Sequence, residues 1–365
     1  MATYDKNELA LIWLDSFEGL EYHKKQVLYG KIKGRTEIKR IISENADYLI
    51  TAIGEKGYEN ILNSANAEYF DYVMSGLKKQ GVTAVTIESK DYPDSLKNTD
   101  LPPLVLYAKG DVKLLKENCF AVVGSRKSLP FSIKVAEKYS EGLIDSGFTL
   151  VTGIAEGIDE TVLKTALKKG AKVISVIAGG ISNVYPSKNF ELCQEIARRG
   201  LVISEHRPET NPKPYFFPIR NRIIAGLSKG VLIVSGAKKS GTLYTAEYAL
   251  EYGRDVFAIP YEIGIESGQS CNDLIKRGAN LTDCFEDIQN FYGLEKREKS
   301  ESLSEDETRV VNFLKTGAKH VEKIAQELNK QVYEIIPFLS VMEIKGLIVR
   351  SGVNSYSLIS VNLEE

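Results

Sequence analysis

The spacing of apolar residues changes character along the chain, and each change marks a predicted structural region. Up to about residue 76 the period is helical: Leu9, Ile12, Trp13 and Phe17 recur at three- and four-residue intervals, as do Ile38, Ile41 and Ile42. Polar pieces at 30–34 and 63–66 interrupt it, which predicts a small helical bundle over 1–76. Near Gly81 the texture turns to short β-type runs, 82–87 and 104–107, separated by a polar loop containing prolines. From 120 to 260 apolar runs alternate with amphipathic segments. Strands are predicted at 120–123, 148–151, 172–178, 201–203, 231–234 and 256–259, and helices at 132–146, 160–169, 191–199, 220–227 and 245–252. Six apolar strands alternating with helices predict βαβ units: an α/β, doubly wound, mainly parallel Rossmann-like sheet with helices on both faces, spanning 81–290. A charged stretch low in apolar residues follows, read as a linker over 291–303. Three helical patterns and a hairpin signal then fill 304–365, in the order of a winged helix.

Composition narrows the function more than the fold. The 365 residues carry a formal net charge of −2, with 43% hydrophobic and 26% charged residues, so the protein does not coat nucleic acid by bulk electrostatics. Nucleic-acid binding has to come from a local basic patch. Cys119, Cys193, Cys271 and Cys284 form no CxxC pair, and only three histidines occur, so neither a metal site nor a cofactor is predicted. The first residues lack a basic segment followed by a long apolar run, and no stretch is long enough to span a membrane, which predicts a cytoplasmic protein.

In a doubly wound sheet the ligand-binding loops follow the carboxyl ends of the strands. After the first of the six strands stands Gly124-Ser125-Arg126, just ahead of a helix. A glycine-led turn exposes N–H groups, a helix N-terminus favours negative charge, and an arginine fork matches phosphate. The same triplet also fits a plain tight turn with a solvated arginine. After the second strand comes Gly153-Ile154-Ala155-Glu156-Gly157-Ile158-Asp159, with Asp159 expected to cap the next helix. The third leads to Gly179-Gly180 and then Tyr185-Pro186-Ser187-Lys188-Asn189, offering a lysine for phosphate and a tyrosine for stacking, or an ordinary loop anchor. The densest segment runs from Tyr215 to Ser228. There Phe216 and Phe217 precede Arg220, Asn221 and Arg222, an aromatic-and-cation pairing suited to single strands. Between Arg198 and Lys239 positive side chains outnumber carboxylates. The alternative for this segment is core phenylalanines and salt-bridged arginines. Lys239-Ser240-Gly241-Thr242 opens another helix as a further anion loop.

Catalysis finds little support. No histidine lies beside a nucleophile in these loops, no GxxxxGK[ST] occurs, and the glycine spacing is not that of a dinucleotide fingerprint. Asp159 and Glu247 are carboxylates without a predicted partner. No catalytic residue is assigned.

Taken in order, Gly-Ser-Arg, Gly-x-Ala-x-Gly-Ile-Asp, Tyr-Pro-x-x-Asn, Phe-Pro-x-Arg-Asn-Arg-Ile-Ile-Ala-Gly-Leu-Ser and Ser-Gly-Thr-x-x-Thr-Ala resemble the DprA/Smf family from about 82 to 288. That resemblance implies single-stranded DNA binding in a basic pocket of a Rossmann-like domain, dimerisation, and loading of the RecA recombinase in natural transformation. Family members often carry a helical N-terminal domain, sometimes SAM-like, and a winged-helix C-terminal domain. It further implies that Arg126, Lys188, Arg220 and Arg222 contact phosphates. The loops at Gly153–Gly157, Gly179–Gly180 and Ser240–Thr242 shape the pocket, and Phe217 or Tyr185 stacks on bases. Four positions depart from the family pattern: Leu163 replaces a histidine, Ser182 an aspartate, Ser235 a glutamate and Tyr261 a glycine. The competing reading is a small-nucleotide sensor or a phosphoribohydrolase-like enzyme, in which Ser240-Gly241-Thr242 and Glu247 form the site with Arg126 as phosphate anchor.

Overall fold

The computed structural model describes residues 4–17, 20, 22–32, 38–238, 240–294, 304–344 and 347–358, so Lys239 and most of the linker expected at 291–303 lie outside the described residues. The chain forms two compact units, Met1–Lys296 and Arg297–Glu365.

The first unit opens with helices. Asp5 and Glu8 build a capping box at the start of α1 (Lys6–Asp15), an arrangement worth about 1 kcal/mol. Then come α2 (Tyr22–Ile32), α3 (Ile38–Glu44), α4 (Ala46–Ser64) and α5 (Ala67–Gln80). Gly54, at φ +78°, breaks α4, and Gly81, at φ +65°, ends α5 in the left-handed conformation that glycine adopts without penalty. Trp13 is the centre of this layer, fully buried, with its indole N–H donating to the Ser64 carbonyl at 3.0 Å. The layer is bonded to the sheet: the Tyr107 hydroxyl donates to Asp15 Oδ2 at 2.8 Å, and the Ala84 N–H donates to the Tyr4 hydroxyl at 3.0 Å.

The sheet strands are β1 (Thr83–Thr86), β2 (Val105–Gly110), β3 (Cys119–Val123), β4 (Thr149–Thr152), β5 (Val173–Val176), β6 (Leu201–Ser204), β7 (Gly230–Ile233), β8 (Asp255–Ala258) and β9 (Asn280–Leu281). The short α6 (Asp94–Lys97) lies between β1 and β2. The remaining helices are α7 (Pro130–Asp145), α8 (Ile158–Lys168), α9 (Phe190–Arg199), α10 (Phe216–Leu227), α11 (Thr242–Glu251), α12 (Gln269–Lys276) and α13 (Phe285–Tyr292). The strand order is β1-β2-β6-β5-β4-β3-β7-β8-β9, parallel from β6 to β9 and antiparallel at β1–β2 and β2–β6. All five residues of β3 are buried. Phe120 and Val122 enter one core and Cys119, Ala121 and Val123 the other, which is why the parallel strands read as continuous apolar runs. The six expected strands and five expected helices all form, with ends displaced by at most a few residues. β1 and β2 form where β-type runs are expected at 82–87 and 104–107, their antiparallel pairing being new, while β9, α12 and α13 are additional.

The chain leaves β3 outward through β4, β5 and β6, then returns to β7 on the other side of β3. That reversal leaves a crevice beyond the carboxyl ends of β3 and β7.

The four cysteines are unpaired, and burial pushes the thiols of Cys119, Cys193 and Cys271 up to about 12. Among the described residues no helix is long and apolar enough to cross a membrane.

The second unit has its own core. Ser304 and Glu307 cap α14 (Glu305–Leu314); β10 (Lys319–His320), α15 (Val321–Leu328), α16 (Val332–Ile344), β11 (Ile348–Gly352) and β12 (Ser355–Leu358) follow. The small antiparallel sheet is ordered β10-β12-β11, and Val310, Leu314, Ile324, Leu328, Ile335 and Leu339 pack beneath it.

Candidate nucleic-acid interface

The turn after β3 is shaped by what it touches. A Cβ on Gly124 would lie 2.4 Å from Ile158 Cγ1, so only glycine lets α8 start against it. The Ser125 N–H donates to Ser235 Oγ at 3.1 Å. Ser125 Oγ donates to the Lys127 carbonyl at 3.1 Å, and Ser128 Oγ donates to the Ser125 carbonyl at 2.7 Å. The turn is thus closed on itself, and the Arg126 and Lys127 side chains are left exposed. The Arg126 guanidinium sits 5.3 Å from the Phe217 ring centroid, and Phe217 meets Tyr185 edge-on at 5.8 Å. A cation and two aromatic faces from two loops and the first turn of α10 therefore stand together.

Beside them are two buried opposite charges, Arg220 and Asp159, each within the other's field. Arg220, 8% exposed, donates to the Val176 carbonyl at the end of β5 and, through Nε, to Asn221 Oδ1 at 3.1 Å. A Cβ on Gly153 would lie 2.4 Å from Asp159 Oδ2 and 2.8 Å from Arg220 Nη2, so the glycine leaves room for both charges. Burial raises the Asp159 carboxyl above its ordinary range, against the opposing pull of Arg220; burial also draws Arg220 down to about 10. Contrary to the expectation from sequence, Asp159 does not cap α8. Gly157 occupies the cap, and Asp159, in the first turn, turns back to accept the Ala155 N–H at 3.3 Å.

Around this pair opens a cleft of about 1110 Å³ at the switch point, lined among others by Gly124, Ser125, Arg126, Tyr185, Phe217, Arg220, Asn221, Ser240, Gly241 and Thr242. Asn221 Nδ2 donates to the Gly241 carbonyl at 3.0 Å, and Ser240 Oγ accepts from Thr242 Oγ1 at 2.9 Å, which ties the start of α11 to α10.

Other expected site residues stand elsewhere. Arg222, expected on phosphate, is 4% exposed and ion-paired with Glu205, among Tyr22, Tyr92 and Tyr252, away from the cleft. It and Arg220 lie two positions apart on α10, so they leave the helix in different directions. Lys188 is exposed and pairs with Glu156 at 3.0 Å, outside the cleft lining. Asn189 is buried, its Nδ2 donating to the Ile154 carbonyl at 2.8 Å. Gly179 and Gly180 face protein: added Cβ atoms would meet Pro212 at 3.0 Å and the Arg207 carbonyl at 2.1 Å. They seat the loop whose Pro212 and Pro214 line the cleft. Phe216 is core, stacked on His206 at 3.9 Å, whereas its neighbour Phe217 lines the cleft.

Glu247 is exposed on α11 and does not line the cleft. The acid that the phosphoribohydrolase-like reading uses therefore stands outside the cleft lining. Glu247→Gln is expected to change strand affinity by no more than about twofold, as an exposed substitution does, when titrated beside the wild type. Sequence reading missed Lys127 and the segment 264–267, which also line the cleft. The signal was available: that segment follows β8, whose neighbour β7 borders the switch point.

The family model for DNA recombination-mediator protein A matches residues 83–293, from β1 to the end of α13. The chain belongs to the DprA/Smf family. It is 40% identical over 217 residues to DNA processing protein DprA of Bacillus subtilis, covering 59% of this chain and 73% of that one. The structure of Streptococcus pneumoniae DprA superposes with a TM-score of 0.57 at 33% identity, over 75% of this chain and 98% of that one. The Helicobacter pylori DNA processing protein A, described for its single-stranded DNA binding mode, gives 0.53 at 29% identity, over 58% and 95%. The four departures from the DprA/Smf pattern are each absorbed locally. Leu163 is fully buried in the core, and Ser182 Oγ donates to Gln80 Oε1 at 2.6 Å. Ser235 holds the Ser125 N–H, and the Tyr261 hydroxyl donates to the Val234 carbonyl at 2.7 Å.

Proposed function

We propose that the chain binds single-stranded DNA in the switch-point cleft and acts, without catalysing a reaction, as a recombination mediator that protects the strand and delivers it to RecA. The observation that carries this reading is the exposed Arg126 held against Phe217 beside Tyr185. A cation for the backbone and aromatic faces for bases is the combination that single strands require, each stacked base contributing about 1–3 kcal/mol. Arg126 and Lys127 take phosphates, while the start of α11 offers the Gly241 N–H. Arg220, matched by Asp159, holds the wall in shape. Membership of the recombination-mediator family supports the step to RecA. A homodimer working in natural transformation in the cytoplasm belongs to the same reading. The second unit is read as a winged helix, on the order α14-β10-α15-α16-β11-β12. Its α16 carries Glu334 and Glu343, exposes Tyr333 and Ile336, and suits a protein partner better than a major groove.

Arg126→Ala tests the assignment. The variant cannot hold the phosphate that Arg126 takes, so single-strand affinity falls and the salt slope, log affinity against log salt, flattens by about 0.7. Unchanged affinity and slope in a salt series would remove Arg126 from the interface.

A further inference from the structure

The cleft holds a carboxylate that an anion-binding surface does not call for. Glu266 lines it and, among the described residues, its side chain has no ion-pair or hydrogen-bond partner. The other lining carboxylate, Asp159, is matched by Arg220. Glu266 is not on a free loop. Its segment, 261–268, is bolted at both ends. Tyr261 donates its hydroxyl to the Val234 carbonyl at 2.7 Å and shares a 2.8 Å hydrogen bond with Ser132 Oγ, while Asn272 bridges its backbone N–H and carbonyl at 3.0 and 2.9 Å. At the far end the Gly236 N–H donates to the Ser267 carbonyl at 2.6 Å. A Cβ on Gly268 would lie 2.1 Å from Tyr261 Cγ, so the tyrosine ring fills the space against the segment's last turn. The carboxylate is therefore presented from a fixed wall, next to the apolar Ile265.

That wall follows β8, whereas the Arg126 turn follows β3, and β7 lies between them. Two strand spacings separate the two strands, about 10 Å. This is the scale on which a nucleotide extends from its phosphate to the far edge of its base. A phosphate at Arg126 thus leaves a base edge to meet Glu266. Carboxylates accept from the cytosine N4 amino group, while the carbonyl that thymine carries at that position is repelled.

We propose that Glu266, held by the Tyr261-anchored wall, makes the cleft discriminate between bases, favouring one with an exocyclic amino group over one with a carbonyl there. This rests on the single-stranded DNA reading and specifies which strands the site prefers.

The test is fluorescence anisotropy of the full chain with oligo-dC, oligo-dT and oligo-dU of equal length at pH 8, for wild type and Glu266→Gln. The wild type should bind oligo-dC about tenfold tighter than either carbonyl-bearing strand. Glu266→Gln, whose amide also donates, should bind oligo-dT more tightly and bring the ratio to about one or below. Thermal melting confirms that the variant, altered at an exposed position, is folded. Equal binding of the three strands by wild type, or a dC preference unchanged in the variant, overturns the role of Glu266 while leaving DNA binding intact. Failure of every strand to bind overturns the DNA reading and this inference together.

Discussion

Arg220→Ala is expected to destabilise the fold by about 3–5 kcal/mol, the range for removing one partner of a buried charged pair. Two groups lose a counterpart at once: the Val176 carbonyl loses a donor, and Asp159 loses the stronger of the two guanidinium charges that act on it, keeping only Arg126. The destabilisation carries a pH signature. Burial already raises the Asp159 carboxyl in the wild type, and without Arg220 it rises further. A carboxyl whose folded pKa is raised binds protons more readily folded than unfolded, so its penalty is full above the folded value and vanishes below the unfolded one. The deficit of Arg220→Ala relative to wild type therefore shrinks as pH falls from neutrality toward the ordinary value of 3.8. Urea denaturation of both proteins across that range checks it. Folded Arg220→Ala protein should retain most of the wild-type salt slope, because a matched charge releases few counterions. A deficit below about 1 kcal/mol, independent of pH, would mean that the pair is solvated rather than buried.

Gly157→Ala is expected to remove stability and strand binding together. Gly157 has φ +79° and ψ −120°, outside the left-handed helical basin, and forcing a Cβ into such a conformation costs about 1–3 kcal/mol. The Cβ would also lie 2.4 Å from the Ser125 carbonyl oxygen and 2.7 Å from that of Arg126. The turn has to move, and the Arg126 guanidinium leaves Phe217 with it. Gly170→Ala is the control: φ is +67° there, but nothing lies within 4 Å of the added atom. Melting should show lower stability in both variants, more so at 157, and anisotropy a weaker affinity at 157 alone. If Gly157→Ala melts lower yet binds as wild type, the turn does not position Arg126.

These two positions also show how much was legible in the sequence. The parallel sheet was, because strands buried on both faces leave unbroken apolar runs such as 120–123. β9 was not, since Asn280–Leu281 is too short to carry a pattern, and the antiparallel edge is a matter of tertiary pairing. Glycines and loops marked the switch-point crevice because ligands collect there in this architecture. Which arginine faces the ligand was not readable: Arg220 and Arg222 sit in one motif, yet one takes Asp159 and the other Glu205. Charge identity is written in the sequence, but burial and partner are set by helix rotation. Phe216 and Phe217 divide between core and cleft for the same reason.

The most direct measurement is fluorescence anisotropy of the whole chain against a labelled single strand and the matching duplex across a salt series. A cleft built for unpaired bases should bind the single strand more tightly at every salt concentration, with an affinity that falls linearly in log salt. Equal binding of strand and duplex, or no binding at low salt, would contradict it.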